Sequence, residues 1–363
     1  MRIPNVATYA PAAAVALTAA LAGCSGSPQM APTPLGQSGR VSPAIQRLAT
    51  RQGIVPGHGA ARSSFMDPRA VGKPLIFVVD GLNSVAHIFL QSKSHKAVGQ
   101  ITVSSGFFSG TATDRARNLY LTDDSSVLVY PPPYTGTPAT LQDAGNVAWD
   151  VAVSRAGVVG VANDCALPSC ASNTGSVAFY QPGATAPCAT VPVTANVQYA
   201  AFDKKGDLFF AGIYTPPSGP LATQGYSVIG EVKGACKAKK STLLTTSNTI
   251  RGYAVHVDKA DRIAILDYSI SGLFTIYTYN HPKNGSLGSP VSTVPLTPPN
   301  AFIIDFAFVA SGADLYTAED SNSCCPGFSN EYDYPAGGAP ESTVDVTSYG
   351  SLSGVAVTPP LVP

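Results

Sequence analysis

The stretch Gly354-Val355-Ala356-Val357-Thr358, close to the end of the 363-residue chain, decides the fold because it is one copy of a recurring strand pattern. Strands of the same small and apolar character begin at residues 110, 150, 199, 254 and 305. Each of these earlier copies stands shortly before a second, more apolar strand, whereas the copy at 354–358 has no such strand after it. The last copy therefore needs a partner from elsewhere in the chain.

The second strand of the pattern has the form x-Leu-Tyr-Val-x-Asp and recurs at residues 75–80, 118–123, 158–163, 207–212, 262–267 and 314–319. The copy at 75–80 has no first strand before it, because Met66-Asp67-Pro68-Arg69 has the wrong chemistry for a buried strand. Residues 354–358 supply the missing strand. We therefore predict that the C-terminal strand pairs with residues 75–80 and completes the first unit.

A third strand ending in Tyr or Phe and a more polar fourth strand follow in each unit, which makes four antiparallel strands per repeat. Repetition at a period of about 40 to 50 residues is typical of propellers and solenoids. The composition agrees with many short strands joined by turns, since the chain has 12% charged residues, 34 glycines and 31 prolines. The prediction is an all-β, six-bladed β-propeller closed by the C-terminal strand, and a pair of β-sandwiches is the alternative.

The motif Gly-Val-Ala-Val-Asp followed by Gly-Asn-Leu-Tyr-Val-Ala-Asp resembles the NHL-type repeat of six-bladed propellers, close to the lactonase-like superfamily. The resemblance covers roughly residues 74–359 and departs from the repeat at Asn163, Gly160, Gly212 and Ala264. It implies that an enzyme of this kind would carry a Glu on an inner strand of the closing blade. The strand at 353–358 has no acid, so the resemblance does not extend to lactonase activity.

The N-terminus indicates export. Residues 1–23 have one charge, Arg2, followed by an apolar run that is too short for a permanent membrane span. Leu21-Ala22-Gly23-Cys24 resembles the lipobox of bacterial lipoproteins, which makes Cys24 the expected lipidation site; an ordinary secretory signal is the alternative. We expect a signal peptide at 1–23, a lipidated and disordered tether at 24–73, and the propeller at 74–363. The expected location is the bacterial cell envelope, at the outer membrane or cell surface.

The other cysteines lie in an exported domain, where disulfides are favoured; they are Cys165, Cys170, Cys188, Cys236, Cys324 and Cys325. A turn could bring Cys165 and Cys170 together. Cys188 and Cys236 follow the third strands of adjacent blades, which favours a disulfide between the outer edges of the two blades. Cys324 and Cys325 would remain as a vicinal pair. Zinc is disfavoured because no Cys-x-x-Cys or nearby His is present.

The loops after the second strands and before the first strands open on one face of a propeller, and loops on a rigid scaffold commonly bind ligands. The first set of loops contributes Asp80, Asp123, Asp124, Asn163, Asp164, Asp267, Glu319 and Asp320. The second set contributes Trp149, Asp150, Gln198, Tyr199, Arg251, Tyr253, Asn300, Phe302 and Asp305. The second set surrounds the mouth of the predicted channel, so this face is the candidate binding face.

Two interpretations of this face stay open. An acidic ring could hold a divalent cation through oxygen ligands. Alternatively, the acids at strand ends, Asp80, Asp123, Asp267 and Glu319, cap their own turns. Trp149 and Arg251 could line a pocket, or Trp149, the only Trp of the chain, could pack between blades.

The 22 basic residues equal the 22 acidic residues, so no face is marked for nucleic acid. The lysines at 233, 237, 239 and 240 fit a solvated turn. No Gly-x-Ser-x-Gly motif is present, and the histidines are scattered. The sequence favours a monomeric binding module for a protein, peptide or glycan, with no resident cofactor. A metal-dependent hydrolase and a structural envelope scaffold are the alternatives.

Overall fold

The computed structural model describes residues 64–81, 83–103, 109–218, 225–247, 252–268, 273–299, 301–321, 327–344 and 352–359. Strands dominate these ranges, and the helical segments among them are two short 3-10 turns, Pro68–Ala70 and Ala235–Lys237. None of the helical turns in these ranges has the length and apolar character needed to cross a membrane. The lipidation candidate Cys24, the signal peptide and most of the expected tether lie outside the described residues.

The strands form six small antiparallel sheets, as the repeats predict. The first two sheets contain β1 (Phe65–Met66), β2 (Leu75–Asp80), β3 (Val85–Leu90), β4 (Ala97–Thr102), then β5 (Thr111–Thr113), β6 (Leu119–Asp123), β7 (Ser126–Tyr130) and β8 (Ala139–Gln142). The third and fourth contain β9 (Asn146–Val153), β10 (Val159–Ala166), β11 (Ser176–Tyr180), β12 (Ala189–Pro192), then β13 (Asn196–Phe202), β14 (Leu208–Tyr214), β15 (Tyr226–Val232) and β16 (Ser241–Thr246).

The fifth and sixth sheets contain β17 (Gly252–Val257), β18 (Ile263–Tyr268), β19 (Phe274–Tyr279), β20 (Ser286–Gly288), β21 (Ser292–Leu296), then β22 (Ala301–Phe308), β23 (Asp314–Ser321), β24 (Ser329–Asp333), β25 (Ser342–Val344) and finally β26 (Leu352–Thr358). Short β20 leaves its own sheet and pairs in parallel with β16, which links blades 4 and 5. The first strands of neighbouring blades contact one another around a ring, so the architecture is a six-bladed β-propeller.

The ring closes through the C-terminal strand, as predicted. β26 pairs antiparallel with β2, with Ile76 opposite Val357 and Val78 opposite Val355, and becomes the innermost strand of blade 1. Arg117 of blade 2 forms hydrogen bonds to both chain segments that meet at this closure. Its Nε donates to Thr358 Oγ1 at 3.1 Å, and its terminal nitrogens donate to the carbonyls of Gly72 and Lys73.

Residues 64–73, which the sequence analysis assigned to the tether, pack onto blade 1. β1 pairs with β4 at the outer edge of the sheet, and Ser64 Oγ accepts a hydrogen bond from Thr102 N at 3.1 Å. The predicted domain boundary at residue 74 is therefore too late. The sequence did not show this because a two-residue edge strand needs no apolar pattern of its own.

The core lies between blades. Every residue of β2 is buried, because a second strand is covered by sheets on both of its faces. This explains why these strands are continuously apolar rather than alternating. Fully buried rings such as Phe77, Phe179, Phe209 and Tyr332 fill the spaces between blades. Each such side chain contributes roughly 1.5–3 kcal/mol through burial.

Both predicted disulfides that fall within the described residues are confirmed. Cys165 and Cys170 close the loop after β10, and their Cα atoms are 4.9 Å apart. Cys188 and Cys236 join blades 3 and 4, with Cα atoms 5.3 Å apart. The vicinal pair Cys324 and Cys325 lies outside the described residues.

Candidate functional site

The six innermost strands surround an axial channel. In five blades the residue at mid-height is an alanine, namely Ala112, Ala152, Ala201, Ala307 and Ala356. In blade 5 the corresponding residue is His256. The channel volume is about 110 Å³. Since ligand pockets commonly reach roughly 300–1,000 Å³, this channel suits a few water molecules, and a larger ligand must bind at its mouth.

The upper face is the end of the propeller at which second strands lead into third strands. Each blade also leads into the next at this end. Just below the upper face, the inner strands of blades 1, 3, 4, 5 and 6 each contain a β-bulge, seen as a shift in register against the second strand. The inserted residues are equivalent in the five blades: Trp149, Gln198, Tyr253, Ile304 and Ser353. β-Bulges redirect side chains and are common beside active sites.

These five residues, here called the mouth ring, share a pattern of exposure. Trp149, Gln198, Ile304 and Ser353 are each half-buried, while the residues before and after each of them are buried. The backbone of Tyr253 occupies the same position in β17, although the structure does not describe its side chain. The bulges thus present accessible side chains at the mouth of an otherwise closed barrel of inner strands.

Two buried carboxylates lie one residue below the mouth ring. Asp150 Oδ2 accepts the backbone N–H of Ala200 at 2.9 Å, and Asp305 Oδ2 accepts that of Val355 at 3.2 Å. Both bonds run from one blade to the inner strand of the next. Burial and the negative charge of Asp305 raise the pKa of Asp150 well above its ordinary value. Both effects disfavour the charged form of the Asp150 carboxyl group.

His256 extends this group. Its Nε2 lies 3.1 Å from Asp305 Oδ1, and its ring packs edge-on against Phe306 with centroids 4.5 Å apart. His256 is half-buried and borders the channel. His256 therefore brings a polar side chain to the level at which the other five blades line the channel with alanine.

The structure separates the predicted binding face into accessible and buried residues. Trp149 is half-buried at the mouth, whereas Asp150, Tyr199 and Asp305 are buried and do not offer their side chains to solvent. Arg251 lies outside the described residues.

The acids at strand ends also differ in their exposure to solvent. Asp80 is buried and caps its turn by accepting Asn83 N at 3.0 Å, as the capping interpretation predicts. Glu319 is buried inside blade 6, where it accepts hydrogen bonds from Asn330 at 2.8 Å and Tyr332 at 2.9 Å. Asp267 is also buried, Asp123 is half-buried, and Asp124 is exposed.

The acids of this face do not assemble a cation site among the described residues. The group there with ligand atoms within 4.8 Å of one another is Asp164, Cys165 and Cys170. Both sulfurs of that group belong to a disulfide, so neither is a thiolate that could coordinate a metal. Asp164 instead lies 3.5 Å from Gln198 Nε2 of the mouth ring.

The sequence analysis missed Ile304 and Ser353. A bulge adds one residue to a strand without altering its composition, so neither residue stands out in the sequence. The signal that could have revealed them is positional, since both occupy the place that Trp149 and Gln198 hold in other blades.

Comparison with known proteins supports the fold alone. No protein-family model matches the sequence, and no curated protein matches it. Among solved structures, a protein of unknown function from Bacteroides caccae is similar, with 12% identity and a TM-score of 0.56 over 79% of this chain and 99% of that one. The Neurospora crassa Pan2 WD40 domain has 10% identity and a TM-score of 0.41 over 64% and 68% of the two chains, respectively. U3-55K has 13% identity and a TM-score of 0.46 over 72% and 74%.

Proposed function

We propose that this protein is a lipoprotein of the bacterial cell envelope whose propeller is a binding module, with its ligand held at the mouth ring. The observation that carries the proposal is the recurrence of the bulge at the same height in five blades. A bulge that served packing alone would have no reason to leave Trp149, Gln198 and Ile304 accessible between buried neighbours.

The side chains of the mouth ring favour an uncharged ligand. They combine an indole, a carboxamide, an aliphatic group and a hydroxyl, which suit stacking and neutral hydrogen bonding. The surrounding acids at Asp124 and Asp164 disfavour an anion. A glycan or a peptide of the cell envelope has this chemistry, and a rigid scaffold binds either without large conformational change.

The experiment uses the single Trp of the chain as a reporter, since Trp149 lies in the mouth ring. Its fluorescence is titrated with soluble peptidoglycan fragments, with neutral oligosaccharides and with a library of short peptides. We expect one class to shift the emission with saturation, and Ile304→Ala and Gln198→Ala to weaken that binding at least fivefold. Thr343→Ala, an exposed change on the outer strand of blade 6, is the matched control. Unchanged emission with all three classes would refute the proposal.

The lipid anchor is tested separately. In a bacterial host, Cys24→Ser should abolish incorporation of labelled palmitate and release the propeller from the membrane fraction, because acyl chains add about 0.8 kcal/mol of membrane affinity per buried methylene. Cys188→Ser, which removes a cysteine of the propeller, should leave palmitate incorporation intact. Labelling that persists in Cys24→Ser would show that Cys24 is not the acceptor.

A further inference from the structure

The basic residues of the propeller lie at one end of its axis, whereas its acidic residues lie at both ends. The lower face is the end opposite the mouth ring. It contains the turns that join first strands to second strands and third strands to fourth strands. Every Lys and Arg among the described residues lies there: Arg69, Lys73, Lys93, Lys96, Arg115, Arg117, Arg155, Lys204, Lys205, Lys233, Lys237, Lys239, Lys240, Lys259, Arg262 and Lys283. The zero net charge of the chain conceals this distribution.

Carboxylates pair with three of these cations: Asp67 with Arg69, Glu231 with Lys233 and Asp258 with Arg262. Other acids of the lower face bond to the backbone of their own turns. Asp203 Oδ1 accepts the backbone N–H groups of Lys205 and Asp207 at 2.9 and 2.8 Å, and Asp258 Oδ1 accepts that of Arg262 at 2.9 Å. Both of these aspartates are buried. In blade 4 the first-to-second turn therefore holds Asp203 inward, while Lys204 and Lys205 project into solvent.

One cleft on the lower face concentrates this charge. It lies between the first-to-second turns of blades 2, 3 and 4, has a volume of about 320 Å³, and contains Arg115, Arg155, Lys204 and Lys205 in its lining. No carboxylate lines it; the other lining residues are Ser154, Ala156 and Gly206. All four basic residues are exposed.

The four cations have few partners within the described part of the chain. Lys204 Nζ lies 3.4 Å from the carbonyl oxygen of Lys259. Within the described residues, the side chains of Arg115, Arg155 and Lys205 make no hydrogen bond or ion pair. Guanidinium groups match phosphoryl oxygens in a bidentate geometry, and lysines add compact charges. Placing four like charges on adjacent turns costs free energy unless an anion offsets their repulsion.

We propose that this cleft binds a ligand carrying two or more phosphoryl groups. The volume is at the lower end of the range for small-molecule pockets, which fits an oligophosphate or a multiply phosphorylated headgroup. The cleft opens at the end of the channel opposite the mouth ring. The proposal is therefore independent of the ligand that the mouth ring binds.

The probe is inorganic tripolyphosphate, titrated calorimetrically into the whole exported chain at 50 mM and 200 mM NaCl. We expect saturable binding that weakens with salt, because screening shortens the range of the charges. The double variant Arg155→Ala/Lys205→Ala should bind at least tenfold more weakly. The matched control, Lys239→Ala/Lys240→Ala, removes two exposed lysines of the same face outside the cleft and should change affinity less than twofold.

Equal losses in the two double variants, or no binding at 50 mM NaCl, would overturn the proposal. A second arm separates the sources of the phosphoryl groups by sedimentation with vesicles that contain cardiolipin, whose headgroup carries two phosphates. Vesicle binding that tripolyphosphate displaces, and that Arg155→Ala/Lys205→Ala loses, assigns the cleft to lipid headgroups. Tripolyphosphate binding without such vesicle binding assigns it to a soluble phosphate ester.

Discussion

Asp150 of blade 3 and Asp305 of blade 6 occupy equivalent positions in opposite blades, and each accepts a backbone N–H from the next blade, at Ala200 and Val355, respectively. The other four blades hold Gly354, Gly110, Tyr199 and Ala254 at this level. Two interblade bonds related by the pseudo-twofold axis thus fix the inner strands just below the mouth ring. Their carboxylates are close enough for one charge to shift the pKa of the other.

Asp150→Asn should raise the melting temperature at pH 7 and reduce its dependence on pH. Because the folded-state pKa of Asp150 is raised above 3.8, the folded state binds the proton more tightly than the unfolded chain. The contribution of Asp150 to stability is therefore greatest below about pH 3.8 and falls as the pH rises through its folded-state pKa. Asn can still accept the bond from Ala200 without the buried charge.

Melting curves between pH 4 and pH 8 test this, with Asp124→Asn as the control because Asp124 is exposed on the same face. The control should follow the wild type. Curves for Asp150→Asn that run parallel to the wild type at every pH would show that Asp150 does not titrate differently in the folded protein.

Gly110→Ala should destabilise the junction of blades 2 and 3. A Cβ at Gly110 would lie 2.3 Å from the Cα of Asp150 and 2.7 Å from the carbonyl oxygen of Trp149, two backbone atoms that cannot rotate away. It would also lie 2.5 Å from Oδ1 of the Asp150 side chain. Overpacking of this kind costs about 1–3 kcal/mol or more. Gly136→Ala is the matched control, since nothing lies within 4 Å of its Cβ position. Denaturant unfolding that shows equal stability for both variants would contradict this packing.

The two disulfides should differ in their contribution to stability. Cys188 and Cys236 are separated by 48 residues, whereas Cys165 and Cys170 are separated by 5. In the chain-entropy model the longer loop contributes about 4 kcal/mol and the shorter about 2 kcal/mol. Guanidinium unfolding of Cys188→Ala/Cys236→Ala and Cys165→Ala/Cys170→Ala measures the difference. A larger loss from the shorter loop would mean that loop-closure entropy does not dominate.

Blade number and ring closure could be predicted from sequence because both depend on a strand pattern that repeats in six copies. The copy at 354–358 lacked a following partner and the copy at 75–80 lacked a preceding one, so the pairing of β26 with β2 followed. The pairing of Cys188 with Cys236 followed from equivalent positions in neighbouring blades, and that of Cys165 with Cys170 from their place in one loop.

The site was less predictable because exposure on an inner strand depends on register. Asp150 and Trp149 are adjacent in sequence, yet one is buried and the other accessible, and the bulge that separates them leaves no trace in composition. The concentration of basic residues at one end was visible in principle, since they occur in first-to-second and third-to-fourth turns. The net charge of the whole chain is zero, so the total charge did not reveal this distribution.

The outer side of the ring closure should be sensitive to acid through Glu331 of β24. His95, in the connection between β3 and β4, lies 3.4 Å from Glu331 Oε2, while Ser342 donates to the same oxygen at 2.6 Å and Tyr316 donates to Oε1 at 2.8 Å. The hydrogen bond with His95, followed by those from Ser342 and Tyr316, holds the pKa of Glu331 at about 2, below the ordinary 4.5.

Because this pKa is depressed in the folded state, its contribution to stability is complete above about pH 4.5 and disappears as the pH falls towards about 2. Glu331→Gln should cost on the order of 1–2 kcal/mol at pH 7, a figure reduced from the full pKa shift because the carboxylate is partly exposed to solvent. The free energy of unfolding of the variant should then change less than that of the wild type between pH 4.5 and pH 2. Glu341→Gln, an exposed change on the same blade, is the control. Acid unfolding profiles that keep the same slope in Glu331→Gln and in the wild type would show that the contact between blades 6 and 1 does not depend on this charge.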